Sequence, residues 1–197
     1  MGKVRAIYLM PGEFKPWWAY SEEDRQDRAT KLGRGKSVFM KVGKVTVYIT
    51  KVGTDWVIWA ANKGVLIYEV QIKHPQFKSG KIVMQVPYQC SVWRDEEFAE
   101  TTQIPKKVFW EIYKDKKIIV SDIEQSADGR RFWQHRVVDA LQMGLNVYLC
   151  KHSHTHPDRR ILVSLVKLRK EADLNMAYSK DVEKGSSSFL AISGFPL

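Results

Sequence analysis

Cysteine is scarce. Cys90 and Cys150 are the two in 197 residues, too few for a disulfide framework, and a reducing cytoplasm is the expected setting. No apolar run approaches the roughly 18 residues that a membrane helix needs, so a soluble protein without a membrane partner is expected. The opening MGKVRAIYLMPGEF holds an apolar patch of about five residues, shorter than the core of a secretion signal. Ala6 stands where a myristoylation signal wants Ser or Thr. Internal repeats and domain linkers are lacking. So are the Gly-x-Ser-x-Gly elbow, the His-Glu-x-x-His motif and the Cys-His pairings of hydrolases, and no hydrolase is encoded in recognisable form.

Apolar and aromatic material is plentiful. Hydrophobic residues make up 44% of the chain, with seven Trp, eight Tyr and eight Phe, enough to close a core and to exclude disorder for most of its length. The net charge of +10 fits a polyanionic partner, nucleic acid or an acidic protein surface, or an anionic cofactor, and equally fits simple solubility. Its distribution is uneven. Lys151, Arg159, Arg160, Lys167, Arg169 and Lys170 crowd a stretch whose one acid is Asp158. Ser21 to Asp27 runs the other way, with four acids and one Arg.

Periodicity divides the chain into 1–36, a strand (Val4 to Met10) with an irregular and then helical lead-in; 37–170, the core; and 171–197, a polar tail. Ser21 with Asp24 three residues on is a helix start of the capping-box kind. From Ser37, alternation in VFMKV, VTVYITKV, DWVIWAANK and VLIYEVQIK, broken at Gly43, Gly53 and Gly64, predicts an antiparallel meander. KIVMQVPYQCSVW is one more strand, interrupted at Pro87, which has no N–H for a ladder. Pro105 opens a helix, IIVSD is a strand, and Ser126 caps a second helix in which Trp133, Val137 and Leu141 share a face until Gly144. NVYLCK and RRILVSLVKL follow as strands joined by HSHTHPD. The expected class is α+β, a mixed and largely antiparallel sheet with helices packed on it.

Three stretches invite chemistry. KLGRGKSVF ends like a phosphate-binding loop, but Thr30 occupies the place of its first glycine and a strand follows in place of a helix. A glycine turn is the better reading. His152, His154 and His156 alternate, a spacing that with Asp158 could ligate a metal; an exposed turn with incidental histidines is preferred, and no metal is assigned. Aromatic and basic residues interleave in FKPWW, VFWEIYKDKK and RRFWQHR, the composition of surfaces that stack bases and neutralise phosphates. Trp17 and Trp18 are the exposed candidates there.

The succession of meander, KIVMQVPYQCSVW, PKKVFWEIYKDK, IIVSD, the Arg130–Met143 helix and NVYLC resembles the GNAT acyltransferase superfamily, over about Val38 to Leu168. The resemblance implies a fifth strand splaying from the fourth, with Ser121 and Asp122 beside the gap. Asp122 would then be the base toward an amine, with Tyr148 or His135 as acid. It also implies acetyl-CoA as cofactor, cradled by a glycine loop ahead of the first core helix. The corresponding RDEEFAETTQIPKK has no glycine, and Gln103 alone matches the loop's first position. Small, basic, Trp-rich chains of this kind are also similar to accessory proteins of tailed phages. Two expectations follow. One is a divergent group transferase using Asp122, Ser121, Tyr148 and His135. The other is a non-catalytic module that docks on nucleic acid or acidic protein through the Lys151–Lys170 hairpin.

Overall fold

The computed structural model describes residues 21–79, 81–95, 97–121, 127–155, 161–174 and 188–197. The expected strand at Val4 to Met10, and Ser126 as a cap, lie outside them. The chain is α+β, with a mostly antiparallel, mixed sheet and three α-helices among the described residues. It divides into two compact units, 1–73 with 89–112, and 74–88 with 113–197.

In the first unit, helix α1 (Glu22–Gly33) starts as its sequence demands. The Ser21 hydroxyl accepts the Asp24 N–H at 3.1 Å, and the Asp24 carboxylate accepts the Ser21 N–H at 3.0 Å. Glu22, Glu23 and Asp24 in the first turn and Lys31 in the last suit the helix dipole. The meander follows as β1 (Ser37–Val42), β2 (Val45–Val52), β3 (Asp55–Asn62) and β4 (Val65–Lys73). Both residues of the β3–β4 turn, Lys63 and Gly64, have positive φ (48° and 85°), the twist that tight hairpins prefer. Strand β7 (Tyr88–Arg94) lies beside β4, giving the order β1-β2-β3-β4-β7. Ala29 and Leu32 of α1 bury against Val57, Trp59, Leu66 and Trp93. Arg28 locks the helix down with a two-pronged bond to buried Glu69, at 3.0 and 2.9 Å.

The second unit holds the hairpin β5 (Gln76–Ser79) and β6 (Ile82–Gln85), strand β8 (Ile118–Val120), helix α3 (Ala127–Gln142), and strands β9 (Asn146–Thr155), β10 (Ile161–Leu168) and β11 (Ser188–Ser193). Its strand order is β8-β11-β9-β10-β5-β6. Helix α3 ends where expected. Gly144 has φ +72°, its N–H reaches the Leu141 carbonyl, and the Leu145 N–H reaches Ala140. The remaining helix, α2 (Ile104–Lys116), takes Pro105 in its first turn.

Three expectations change. The run from Lys81 to Trp93 is two strands, because Pro87 cannot donate. Strand β6 pairs with β5, whereas Tyr88 at the start of β7 pairs in parallel with Val120. The histidine stretch is not all turn, since β9 continues through Thr155. The largest correction concerns the tail placed at 171–197. Ser188–Ser193 is a strand lying between β8 and β9, and Phe189, Leu190, Ala191 and Ile192 are all buried. Residues 175–187 lie outside the described ones.

Phe189 joins Phe77, Val86, Ile118, Val120, Tyr148, Cys150 and Ala191 in one apolar cluster. Truncating it by Phe189→Ala should cost about 3–5 kcal/mol in urea unfolding. Exposed Phe195, two residues past the strand, should change stability by less than about 0.5 kcal/mol when made Ala. Equal losses at the two positions would contradict a buried β11.

Candidate functional site

Backbone pairing decides what Ser121 can do. Its N–H donates to the Leu190 carbonyl at 2.8 Å, and its hydroxyl accepts the Leu190 N–H at 2.9 Å. The hydroxyl thus takes the acceptor's place in a ladder that β8 has just left. Ser121 is fully buried. Tyr148, also buried, faces the apolar cluster from β9, and its hydroxyl accepts the Leu197 N–H at 3.1 Å. His135 is exposed on α3. Asp122 lies outside the described residues. The structure therefore gives the two hydroxyls main-chain partners and leaves the histidine in solvent.

The segment ahead of α2 is the place where the family resemblance puts a pyrophosphate. Here Arg25 pairs with the Asp95 carboxylate, the Glu97 N–H donates to the same carboxyl group at 3.1 Å, and the Asp95 N–H donates to Ile67. The Thr101 hydroxyl donates toward the Asp95 and Phe98 carbonyls, both at 2.7 Å, and its N–H reaches Phe98. An acidic loop in which the Glu97 and Thr101 N–H groups serve local turns and the Asp95 N–H serves β4 does not fit a pyrophosphate.

The cations of the hairpin are exposed at Lys151, Lys167, Arg169 and Lys170; Arg159 and Arg160 lie outside the described residues. Strand alternation separates two of them. Lys151 pairs with Ser164 and Lys167 with Tyr148, so they project from opposite faces. The Lys167 ammonium donates to the Asn146 side-chain carbonyl at 2.6 Å. Arg169 and Lys170 sit on a turn held by Asp173, whose carboxylate accepts both N–H groups, at 2.8 and 3.2 Å. Those bonds, the Arg169 N–H first, hold that carboxyl below its ordinary pKa.

Other expected positions resolve differently. Trp17, Trp18 and His156 lie outside the described residues, as do the side chains of His152 and His154. Among the described residues no group of three His, Cys, Asp or Glu is placed to hold a metal, and no helix is long and apolar enough to cross a membrane. Sequence reasoning missed a second basic region. Arg28, Lys31, Arg34, Lys36, Lys41, Lys44 and Lys51 follow one another with no acid before Asp55, a run that counting charge in windows would have found.

An apolar cavity of about 30 Å³ opens in the second unit, lined by Phe77, Met84, Val120, Cys150, Phe189 and Leu197 among others. Burial pushes the Cys150 thiol up to about 12. No family model, curated protein or solved structure matches the chain.

In a Cys90→Ser background, the Cys150 thiol should resist an aromatic disulfide reagent at pH 8 until urea unfolds the chain; reaction at the rate of a free thiol would contradict its burial. The same thiol gives a pH dependence. From its ordinary value of 9.0 up to about 12, the unfolded chain ionises Cys150 and the folded one does not. Its contribution to stability is therefore whole below pH 9 and declines as pH rises through that window, which unfolding curves at pH 8 and 10.5, with and without Cys150→Ala, will measure.

Proposed function

We propose that this chain is a GNAT-like scaffold used for docking, not for group transfer, with a polyanion as its target and nucleic acid the preferred one. One contrast carries the reading. The hydroxyls a transferase would need, at Ser121 and Tyr148, are buried and accept main-chain N–H groups, while Lys151, Lys167, Arg169 and Lys170 stand in solvent. A net charge of +10 supplies the long-range attraction. Each phosphate neutralised releases condensed counterions, so such binding weakens steeply with salt. Arg169 and Lys170 are the best placed of the four, because the Asp173 bonds fix the turn that presents them.

A second reading, group transfer at Asp122, has one observation behind it. Tyr88 and Val120 pair in parallel, and a parallel contact at this point supports the fourth and fifth strands that the GNAT resemblance implies. Acetyl-CoA raising the melting temperature would favour it, and no shift at millimolar ligand would remove it.

For docking, the logarithm of the association constant for a single-stranded oligonucleotide should fall linearly with log salt, by roughly 0.7 per phosphate contacted. Changing Lys167, Arg169 and Lys170 together to Gln should lower that slope by about two. Binding that ignores salt, or no retention on any polyanion, would refute the docking function.

A further inference from the structure

We infer that Tyr48, with the lysines around it in the first unit, is a contact site for single-stranded nucleic acid. An unpaired base stacks on the tyrosine ring, and Lys36 and Lys41 take the flanking phosphates. This deepens the docking reading and rests on it, but it uses a different surface from the β9–β10 hairpin.

The argument begins with charge. Of the seven cations between Arg28 and Lys51, two are neutralised inside the unit: Arg28 by Glu69, and Lys31 by Asp27. Arg34, Lys36, Lys41, Lys44 and Lys51 remain exposed. Register then sorts them. Val38 pairs with Tyr48 and Lys41 with Thr46, and Tyr48 in turn pairs with Trp59. Directly opposed residues share a face, as do positions two apart, so Val38, Lys41, Thr46, Tyr48 and Trp59 lie on one side of the sheet. Lys51, an odd number of positions from Tyr48, lies on the other. Strand β1 ends the strand order of this unit, and Val38 is 62% exposed.

The aromatic pair supplies the rest. The Tyr48 and Trp59 rings lie 5.1 Å apart, tilted by 36°. Trp59 is buried, and its N–H is anchored on the Thr50 hydroxyl, which donates to the Leu32 carbonyl at the end of α1. Tyr48 is half-buried over that fixed base. The Lys36 ammonium stands 4.5 Å from the centre of the Tyr48 ring and 5.7 Å from that of Trp59. An exposed cation–aromatic contact is weak beside base–aromatic stacking. An arriving base therefore displaces the ammonium, which swings on its four-carbon stem to a neighbouring phosphate. The interior of a duplex offers no free base face, and an acidic peptide lacks the regular alternation of flat ring and backbone anion, so the ligand class is the unpaired strand.

The test compares oligo(dT) with heparin, a polyanion without bases. Tyr48→Leu should weaken oligo(dT) binding about tenfold and leave heparin retention unchanged, while Tyr48→Phe, which keeps the ring, should bind as the parent does. Lys36→Gln with Lys41→Gln should lower the salt slope for oligo(dT) by about 1.4. A bromodeoxyuridine oligonucleotide cross-linked to the unaltered chain should attach at Tyr48, which needs no variant to fold. Attachment elsewhere, or equal losses for heparin and oligo(dT) in Tyr48→Leu, overturns this site and leaves the docking function standing. Binding to heparin or an acidic peptide without oligo(dT) does the same. Absence of binding to every polyanion ends both.

Discussion

Strands β8 and β9 each present a row of backbone N–H and carbonyl groups toward the other, and β11 is what satisfies them. It pairs with Val120, Ile119 and Ile118 on one side and with Lys151 through Asn146 on the other. Leaving such groups unpaired inside a fold costs about as much as losing the hydrogen bonds outright. Much else in the second unit follows from that filling. Phe189 and Ala191 bring their side chains to the face that carries Tyr148 and Cys150, and the apolar cluster closes around them. Ser121 becomes a substitute rung at the end of β8, and Tyr148 becomes an anchor for Leu197. Two residues with the chemistry of a site are thereby turned into fasteners.

The first unit is governed by a different economy. Strand β4 is buried along nearly its whole length, yet it carries Glu69, and a buried carboxylate needs a partner. Arg28 provides it in two-pronged geometry and fixes the rotation of α1 about its own axis. That rotation puts Ala29 and Leu32 on the sheet. Acids elsewhere in α1 serve the helix dipole or Lys31, and Arg25 of the helix pairs with Asp95. The cations beyond α1 have no acid within their own stretch, and Arg34, Lys36, Lys41, Lys44 and Lys51 are exposed.

The meander, the three helices, the start of α1 and the stop of α3 were legible because each depends on neighbours in the chain: Ser21 on Asp24, Gly144 on Ala140 and Leu141, and the glycines of the hairpin turns on their own φ angles. The candidate site was legible only as a list of residue types. Periodicity places Lys151 and Lys167 in one hairpin, but register puts them on opposite faces, and register comes from pairing with distant strands. Tyr48 went unnoticed because a tyrosine in a β-run reads as sheet filler. Its place beside Trp59 and Lys36 appears only when β1, β2 and β3 align.

By itself, then, the sequence determined the class of the fold, the basic character of the molecule, the start of α1 and the stop of α3, since capping, turn chemistry and alternation act within a few residues. Tertiary structure alone decided that Phe189 to Ile192 belong to a central strand and that the Ser121 hydroxyl faces a backbone amide. It also decided which lysines share a face with an aromatic ring. Those outcomes depend on hydrogen-bond partners far along the chain, up to 69 residues away for Ser121 and Leu190, and a strand's own side-chain pattern carries no record of which edge it will meet.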